Sequence, residues 1–190
     1  MKKAAIILVS SFLICLFYNK GFATGGKDVA VLFTQDTRNS GINRQHQAVM
    51  AIIHQISSSL IEAEFEIYDS MFVDEIYSTM DKEITLDDTT VIKIANKHKV
   101  DIVVIVRLEY GFDEEKARGV QFITPRLSLK AYRASSKAVI ASDSGEKKFP
   151  TYLNLSESDR ITVLTETATR VLNGFLERFV DTLKVKSITM

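Results

Sequence analysis

Cysteine and tryptophan are nearly missing from this sequence of 190 residues, which contains one cysteine and no tryptophan. The lone thiol, Cys15, lies within an apolar segment close to the amino terminus. One cysteine cannot form a disulfide within the chain, and it cannot supply the several thiolates of a Cys-rich zinc site. We therefore expect a fold held together by packing alone, without a disulfide, a zinc–thiolate site or a thiol nucleophile.

Proline is scarce as well, and neither sign of charge dominates. The chain has two prolines, and 24 Lys and Arg residues balance 24 Asp and Glu residues. No stretch rich in Pro, Gly or Ser marks a linker between domains. Without a basic surplus there is no general attraction to nucleic acid or to anionic lipid, so we expect neither as a partner.

The first residues have the tripartite pattern of a secretory signal peptide. Lys2 and Lys3 supply a positive start, residues 4–17 are apolar apart from two serines, and residues 21–23 end the segment with Gly-Phe-Ala. The apolar run is shorter than the roughly 20 residues of a membrane-spanning helix. The pattern therefore favours a cleaved signal over the alternative, an uncleaved membrane anchor.

We accordingly predict that residues 1–23 form a signal peptide, cleaved after Ala23, and that residues 24–190 form one soluble periplasmic domain without a membrane span. Large residues precede Cys15, whereas a lipoprotein signal has small residues before the lipidated cysteine, so we do not expect lipidation. A mature chain that starts at Thr24 contains no thiol.

Residue periodicity predicts an α/β (α+β) fold in which helices flank a mixed sheet of about five strands, in the order β-α-β-α-α-β-β-β-α. Apolar, β-branched segments predict strands, and apolar residues at a spacing of three and four predict helices. The predicted strands are 29–34, 65–68, 101–106, 120–133 and one near 139, and the predicted helices are 44–62, 70–80, 85–98 and 159–184.

A polar-sided hairpin is predicted where residues 120–133 meet the strand that returns after a turn at 134–137. An exposed charged turn at 113–119 precedes it, and Val139 and Ala141 are expected to share a face of the returning strand. Two sets of residues alternate along 120–133, which predicts an antiparallel edge with one wet face. The sets are Leu127, Leu129 and Ala131, and Ser128, Lys130 and Tyr132.

Three parts of the chain resemble the amino-terminal domain of TolB and its relatives. Val29–Phe33, followed by Asn39–Gly41, resembles the first strand and loop of that domain. Ile94–Val104 is similar to its helix that passes through a short turn and an aspartate into the central strand. Leu127–Tyr132 and Lys137–Ser142 are similar to its hairpin. Other relatives are the curli secretion channel component (CsgG-like), the lipoprotein activators of penicillin-binding proteins and the flagellar assembly protein T.

The resemblance implies a fold similar to the anticodon-binding domain of some aminoacyl-tRNA synthetases, and a protein-binding module of envelope assembly that is not an enzyme. The chain departs from the channel component and the activators because it lacks a lipidation cysteine. Arg126, Lys130 and Arg133 in the hairpin also argue against the lipid contact that a pore needs. The soluble periplasmic relatives are therefore the better match.

Residues that commonly carry chemistry do not form a recognised pattern. His46, His54 and His98 lack the i, i+4 spacing of a helical zinc pair. Ser57–Ser59 lie within a predicted helix and outside any G-x-S-x-G elbow. The acidic cluster at 113–115 lacks the alternating spacing of a calcium loop. We therefore expect no catalytic residue, no cofactor and no metal.

Two regions are candidates for partner binding. Asp36, Arg38 and Asn39 follow the first strand, and open α/β sheets collect binding sites at the carboxyl ends of their strands. The alternative is an ordinary polar loop. Lys130 and Arg133 on the hairpin either guard an exposed edge strand or meet an acidic partner.

These patterns predict a non-catalytic periplasmic adaptor or assembly protein of an envelope machine, such as a secretion system, a flagellar ring or a cell-wall complex. It would act by binding envelope proteins. Two alternatives stay open. One is a periplasmic small-ligand-binding protein, which needs an apolar pocket with converging polar groups, and the other is a secreted hydrolase with a cryptic site.

Overall fold

A computed structural model describes residues 27–33, 46–68, 78, 87–115, 117, 119–152 and 155–188 of the protein. Strands and helices follow one another in the predicted order. The strands are β1 (Asp28–Phe33), β2 (Glu66–Ile67), β3 (Ile102–Glu115), β4 (Val120–Arg133), β5 (Ala138–Glu146) and β6 (Phe149–Tyr152). The helices are α1 (Gln47–Glu62), α2 (Asp88–Lys97), α3 (Glu157–Asn173) and α4 (Leu176–Ile188).

Three predictions lie outside the described residues. They are the signal peptide at 1–23, the candidate site at Asp36, Arg38 and Asn39, and the short helix at 70–80, of which the structure describes residue 78 alone. Within the described part of the chain, none of the helices has the length and apolar character needed to cross a membrane.

The central strand β3 belongs to a mixed sheet with the order β2-β1-β3-β4-β5. It runs parallel to β1 and antiparallel to β4. β6 pairs with the first residues of β4, on the edge that β5 occupies farther along. Residues 102–106 are buried because helices cover both faces of the sheet there. The predicted class is confirmed, with six strands in the described residues where about five were expected.

Helices α1, α3 and α4 form a layer on one face of the sheet. Val104 and Leu129 from the strands share an apolar cluster with Ile52, Leu172 and Phe179 from these helices. The opposite face carries a smaller cluster, in which α2 packs on β1 and β3. Each large apolar side chain that is fully buried stabilises the fold by about 1.5–3 kcal/mol relative to exposure.

Side-chain caps begin three of the helices. His46 Nδ1 accepts a hydrogen bond from Ala48 N at 3.2 Å at the start of α1, and burial lowers the pKa of His46, which favours the neutral, accepting ring. Asp87 Oδ1 accepts from Thr90 N at 2.7 Å at the start of α2, and its hydrogen bonds with Thr90 lower the pKa of Asp87. Ser156 caps α3, where its Oγ accepts a hydrogen bond from Asp159 N at 3.1 Å.

The single helix predicted over 159–184 is wrong, because the chain forms two helices there. α3 ends at Asn173, and α4 begins at Leu176. The amides of Gly174 and Phe175 bond to carbonyls three residues back, which is a tighter turn than that of an α-helix. Glycine favours such an interruption, and the break buries the Phe175 ring.

The charged end of the hairpin also differs from the prediction. β3 continues to Glu115, so Asp113 lies in the strand opposite Phe122 and is not part of the turn. The strand is longer than predicted because apolar and polar residues alternate through 107–113, beyond the continuous apolar run. Such alternation is typical of a strand with one wet face.

Two expectations for the hairpin edge are wrong. Lys130 and Arg133 do not lie on an edge strand, because β4 is paired with β3 on one side and with β5 and β6 on the other. Val139 and Ala141 do not share a face. The register of β5 against β4 shifts at Ile140, and this bulge leaves Val139 54% exposed but Ala141 buried.

Candidate functional site

Part of the sheet presents polar side chains to solvent on the face that carries α2. Cross-strand pairing places these side chains in three rows across β3, β4 and β5. Because side chains alternate along a strand, all three rows lie on the same face. The first row contains Lys130 and Ser142, next to Ile105, which is buried beneath α2; the second contains Arg107, Ser128 and Ser144; and the third contains Glu109, Arg126 and Glu146. We call the eight polar residues of these rows the open sheet face.

A single carboxylate fastens α2 beside the open sheet face. Asp88, the first residue of α2, accepts a hydrogen bond from Tyr132 Oη at 2.5 Å on one oxygen and from Arg107 Nη2 at 2.5 Å on the other. Tyr132 is 8% exposed. Burial, with the hydrogen bond and charge of Asp88, raises the pKa of Tyr132 to about 12. The phenol therefore stays protonated at neutral pH and keeps donating to the carboxylate.

Arg107 belongs both to this network and to the open sheet face. Its side chain is 40% exposed although it contacts Asp88. A guanidinium has five N–H donors in a rigid plane, so one carboxylate does not saturate it. An arginine held in this way is positioned to bind a carboxylate or a main-chain carbonyl of a partner.

Charges of both signs alternate along the open sheet face and the adjoining end of the hairpin. Arg126 Nε lies 3.1 Å from Glu146 Oε2. Lys148 Nζ lies 3.0 Å from Asp113 Oδ2 and 4.4 Å from the centre of the Phe122 ring. Exposed pairs of this kind contribute at most about 1 kcal/mol each to stability. Their main effect is a mixed charge pattern, which attracts a partner of alternating charge more than a ligand of one sign.

An open hollow of about 490 Å³ follows two of the rows. Arg107, Glu109, Ser128, Ser144 and Glu146 are among the residues that line it. A lining of charged groups and hydroxyls suits hydrated contact with a polar protein surface.

The two predicted site residues that the structure describes have different surroundings. Lys130 lies on the open sheet face between Ile105 and Ser142. Arg133 lies at the end of β4, and its Nη2 donates to the carbonyl of Lys186 at 3.3 Å. Carbonyls in the last turn of a helix lack partners within the helix, so Arg133 helps to hold the end of α4. Lys130 stays a candidate for partner contact.

The pairing of Asp88 with Arg107 was not predicted from the sequence, because the predicted central strand ends at residue 106. Alternation through 107–113 is the signal that places Arg107 on a wet face. No signal in the sequence shows that α2 begins beside that strand, because the contact joins residues 19 positions apart.

The three histidines occupy separate positions. His46 caps α1, His54 is exposed on α1, and His98 follows α2, where its carbonyl accepts a hydrogen bond from Tyr68 Oη at 3.1 Å. In the residues with assigned positions, no group of three or more His, Cys, Asp or Glu side chains is arranged to hold a metal ion.

In the described residues the fold is a mixed sheet with three helices on one face and one on the other, and comparison with solved structures finds similar chains. The hypothetical protein CT253 from Chlamydia trachomatis has a TM-score of 0.51 at 12% identity, over 83% of this chain and 98% of that one. Lipoprotein GNA1162 from Neisseria meningitidis has 0.48 at 14% identity, over 78% and 99%. The C-terminal domain of LpoB from Salmonella enterica has 0.43 at 12% identity, over 71% and 92%.

At 12% identity, the likeness to the Chlamydia trachomatis protein shows the fold alone. No family model matches the chain, and no curated protein matches it. Membership of the TolB, curli channel, activator or flagellar families therefore stays a prediction.

Proposed function

We propose that this protein is a non-catalytic adaptor of the bacterial envelope that binds other proteins through the open sheet face. The two parts of the proposal have separate support. Export from the cytoplasm rests on the positive, apolar and small-residue pattern of residues 1–23. Protein binding rests on the geometry of the open sheet face.

The observation that carries the proposal is an accessible set of polar groups that the fold already holds in place. Asp88 fixes Arg107, and the hydroxyls of Ser128 and Ser144 follow it in the same row. Groups that are ordered before binding lose less conformational entropy when a partner arrives. A face with both signs of charge also selects its partner by charge complementarity.

The edge of the sheet adjoins this face and extends the surface. β5 and β6 follow one another along the same edge of β4, and in the described residues no further strand pairs with them. Backbone groups at such an edge can bind an extended segment of another protein. A partner that contacts Ser142 and Ser144 therefore lies within reach of the edge.

Site-specific photocrosslinking in living cells tests the proposal. The photoreactive residue p-benzoylphenylalanine replaces Ser144, which is exposed on the open sheet face. We expect covalent adducts with a small set of envelope proteins. The control places the same residue at Ser158, an exposed serine of α3 in the opposite layer, and it should not give these adducts.

Charge variants separate partner recognition from internal stability. Arg126→Glu should weaken the adduct formed at Ser144. The double variant Arg126→Glu/Glu146→Arg keeps an internal ion pair but reverses the charge pattern, so its adduct should stay weak. The proposal is wrong if the two photoreactive positions give the same adducts, or if no envelope protein is captured and the chain is free in the culture medium.

A further inference from the structure

A groove of about 560 Å³ lies in the helix layer, between the second half of α1 and α4. Its apolar floor includes Ala63, Leu176 and Val180, and acidic residues stand along its sides. The acidic residues are Glu62, Glu177 and Asp181, all of them exposed. We call this feature the acidic groove. It belongs to the face of the sheet opposite the open sheet face.

The acidic groove exists because α1 packs more closely on α3 than on α4. Near the helix break, the side chain of Gln55 on α1 donates a hydrogen bond to Asn173 at the end of α3. At the far end, Lys184 Nζ lies 3.8 Å from Glu64 Oε2, just beyond α1. Polar contacts thus lie at both ends, and between them the groove opens to solvent above a floor in which Leu176 and Val180 are almost fully packed.

The acidic groove contains more carboxylates than cations that could neutralise them. Glu64 is the acidic residue within reach of Lys184. Among the described residues, the structure shows no ion pair that involves Glu62, Glu177 or Asp181, so these three carboxylates have no fixed cation beside them. Their charge would repel an anionic lipid surface or an acidic peptide.

One exposed aliphatic side chain continues the same side of α4. Ile188 is 73% exposed. Ile188 follows Asp181 by seven residues, which is two helical turns, so both lie on one side of α4. The surface therefore combines an apolar floor, carboxylates along its sides and one large apolar group beside it.

We propose that the acidic groove docks a basic amphipathic helix of a partner protein. The apolar side of that helix covers the floor together with Ile188, and its lysine or arginine side chains meet the three carboxylates. A groove between two helices matches the ridges of a third helix. The inference rests on the proposed function only in that the occupant is a protein, because the surface differs from the open sheet face.

Binding of a defined peptide tests this inference. The probe is a fluorescein-labelled amphipathic Leu/Lys peptide of about 15 residues, near the length at which an isolated helix becomes stable. Fluorescence polarisation with the purified full chain should show saturable binding that weakens as salt rises. The same peptide with Glu in place of Lys should not bind. Equal binding of the two peptides would overturn the proposal.

A double charge reversal locates the binding site. Glu177→Lys/Asp181→Lys should weaken the Leu/Lys peptide at least about tenfold, because two attractions become repulsions. The matched control is Glu157→Lys/Glu166→Lys, which reverses two exposed acidic residues on α3. Glu157 lies in a first helical turn, as Glu177 does, so the helix-dipole effects are alike. Equal loss in both variants, or no loss in either, contradicts the proposal.

Two further measurements identify the occupant and separate this proposal from the proposed function. If the protein self-associates in sedimentation equilibrium and Glu177→Lys/Asp181→Lys dissociates it, the occupant is a second copy and the proposal is wrong. Arg126→Glu on the open sheet face should leave peptide affinity unchanged. Loss of peptide binding in Arg126→Glu would also contradict the acidic groove as the site, whatever the crosslinking at Ser144 shows.

Discussion

At the residue scale, Tyr132 combines burial with a carboxylate partner, and the two raise its pKa from 10.0 to about 12. An unfolded chain releases this proton near pH 10, whereas the folded protein keeps it until about pH 12. The folded state therefore binds more protons in this window, and the stabilisation is lost as the pH rises through it. We expect the free energy of unfolding to fall from about pH 10 to about pH 12, and to fall less in Tyr132→Phe.

Urea denaturation below and within this pH window measures the effect. Tyr152→Phe is the control, because it removes the same hydroxyl from a ring that is 79% exposed. At neutral pH, Tyr132→Phe should cost about 1–3 kcal/mol, since it removes a hydrogen bond to a charged acceptor. An identical pH dependence in the two variants would show that Tyr132 is not the responsible group.

Gly145 of β5 lies where the helix layer approaches the sheet too closely to leave room for a side chain. A Cβ atom at this position would lie 3.0 Å from Phe175 Cδ1 and 3.2 Å from Val171 Cγ1. Overpacking of this kind costs about 1–3 kcal/mol, so we expect Gly145→Ala to destabilise the protein by that amount in urea denaturation. Gly111→Ala is the control, because its nearest neighbour would be Thr124 Cβ at 3.7 Å. Similar stability of the two variants would argue against the contact.

At the element scale, one ion pair attaches α4 to β5. Arg178 donates to both oxygens of Asp143, at 2.7 and 2.8 Å. The Arg178 hydrogen bond is the main reason that the pKa of Asp143 lies below its usual 3.8. The folded state therefore favours the carboxylate, and the stabilisation present above pH 3.8 is lost as the pH falls through the folded value.

We therefore expect Asp143→Asn to be less stable than the unaltered protein at neutral pH, with a difference that narrows below pH 3.8. Urea denaturation across the acid range provides the measurement. Glu166→Gln is the control, since its partner Arg170 is 4.0 Å away and both side chains are well exposed. A difference that stays constant with pH would mean that the ion pair does not stabilise α4.

The helix predicted over residues 159–184 was correct in part. The spacing of Leu164, Ala168 and Val171 correctly indicated a buried helical face. The same rhythm continued across Gly174 and predicted one helix where the structure has two. The spacing of apolar residues is the same on both sides of the tightened turn, so periodicity does not predict the break. The burial of Phe175 near Gly145, which accompanies the break, joins segments about 30 residues apart.

At the scale of the whole molecule, β3 is buried from both sides by different helices. Val104 points into the helix layer, and Val103 points towards α2. Truncation of either valine removes two carbon atoms from a fully packed position and should cost about 2 kcal/mol. Val139→Ala, on the exposed side of β5, should change stability little. Urea denaturation compares the three variants, and a negligible effect of Val103→Ala would mean that α2 does not pack stably.

The sheet separates the two proposed binding surfaces. The open sheet face lies on the side of α2, and the acidic groove lies in the layer of α1, α3 and α4. Partners at these surfaces would not compete for the same residues. The arrangement suits an adaptor, because one folded chain can then hold two proteins at once.

Features with local causes could be predicted from the order of residues. Apolar, β-branched residues at 29–33 and 102–106 form strands because their side chains fit a sheet covered on both sides. Ser156 begins α3 because its hydroxyl accepts from the amide of Asp159. Alternation along 127–131 correctly separated the buried side of β4 from the side that carries Ser128 and Lys130. Tyr132, predicted on the same wet side, is buried instead because α2 covers it.

The identity of the edge strands and the pairing of polar groups depend on contacts between distant parts of the chain. Lys130 and Arg133 carry the charge that is typical of residues on edge strands. β4 is nevertheless not an edge strand, because β5 and β6 pair with it on that side. Asp88 meets Arg107 and Tyr132 from positions 19 and 44 residues away. Strand order, the open sheet face and the acidic groove depend on such distant contacts. They cannot be predicted from local sequence patterns, because folding brings together residues that are far apart in the chain.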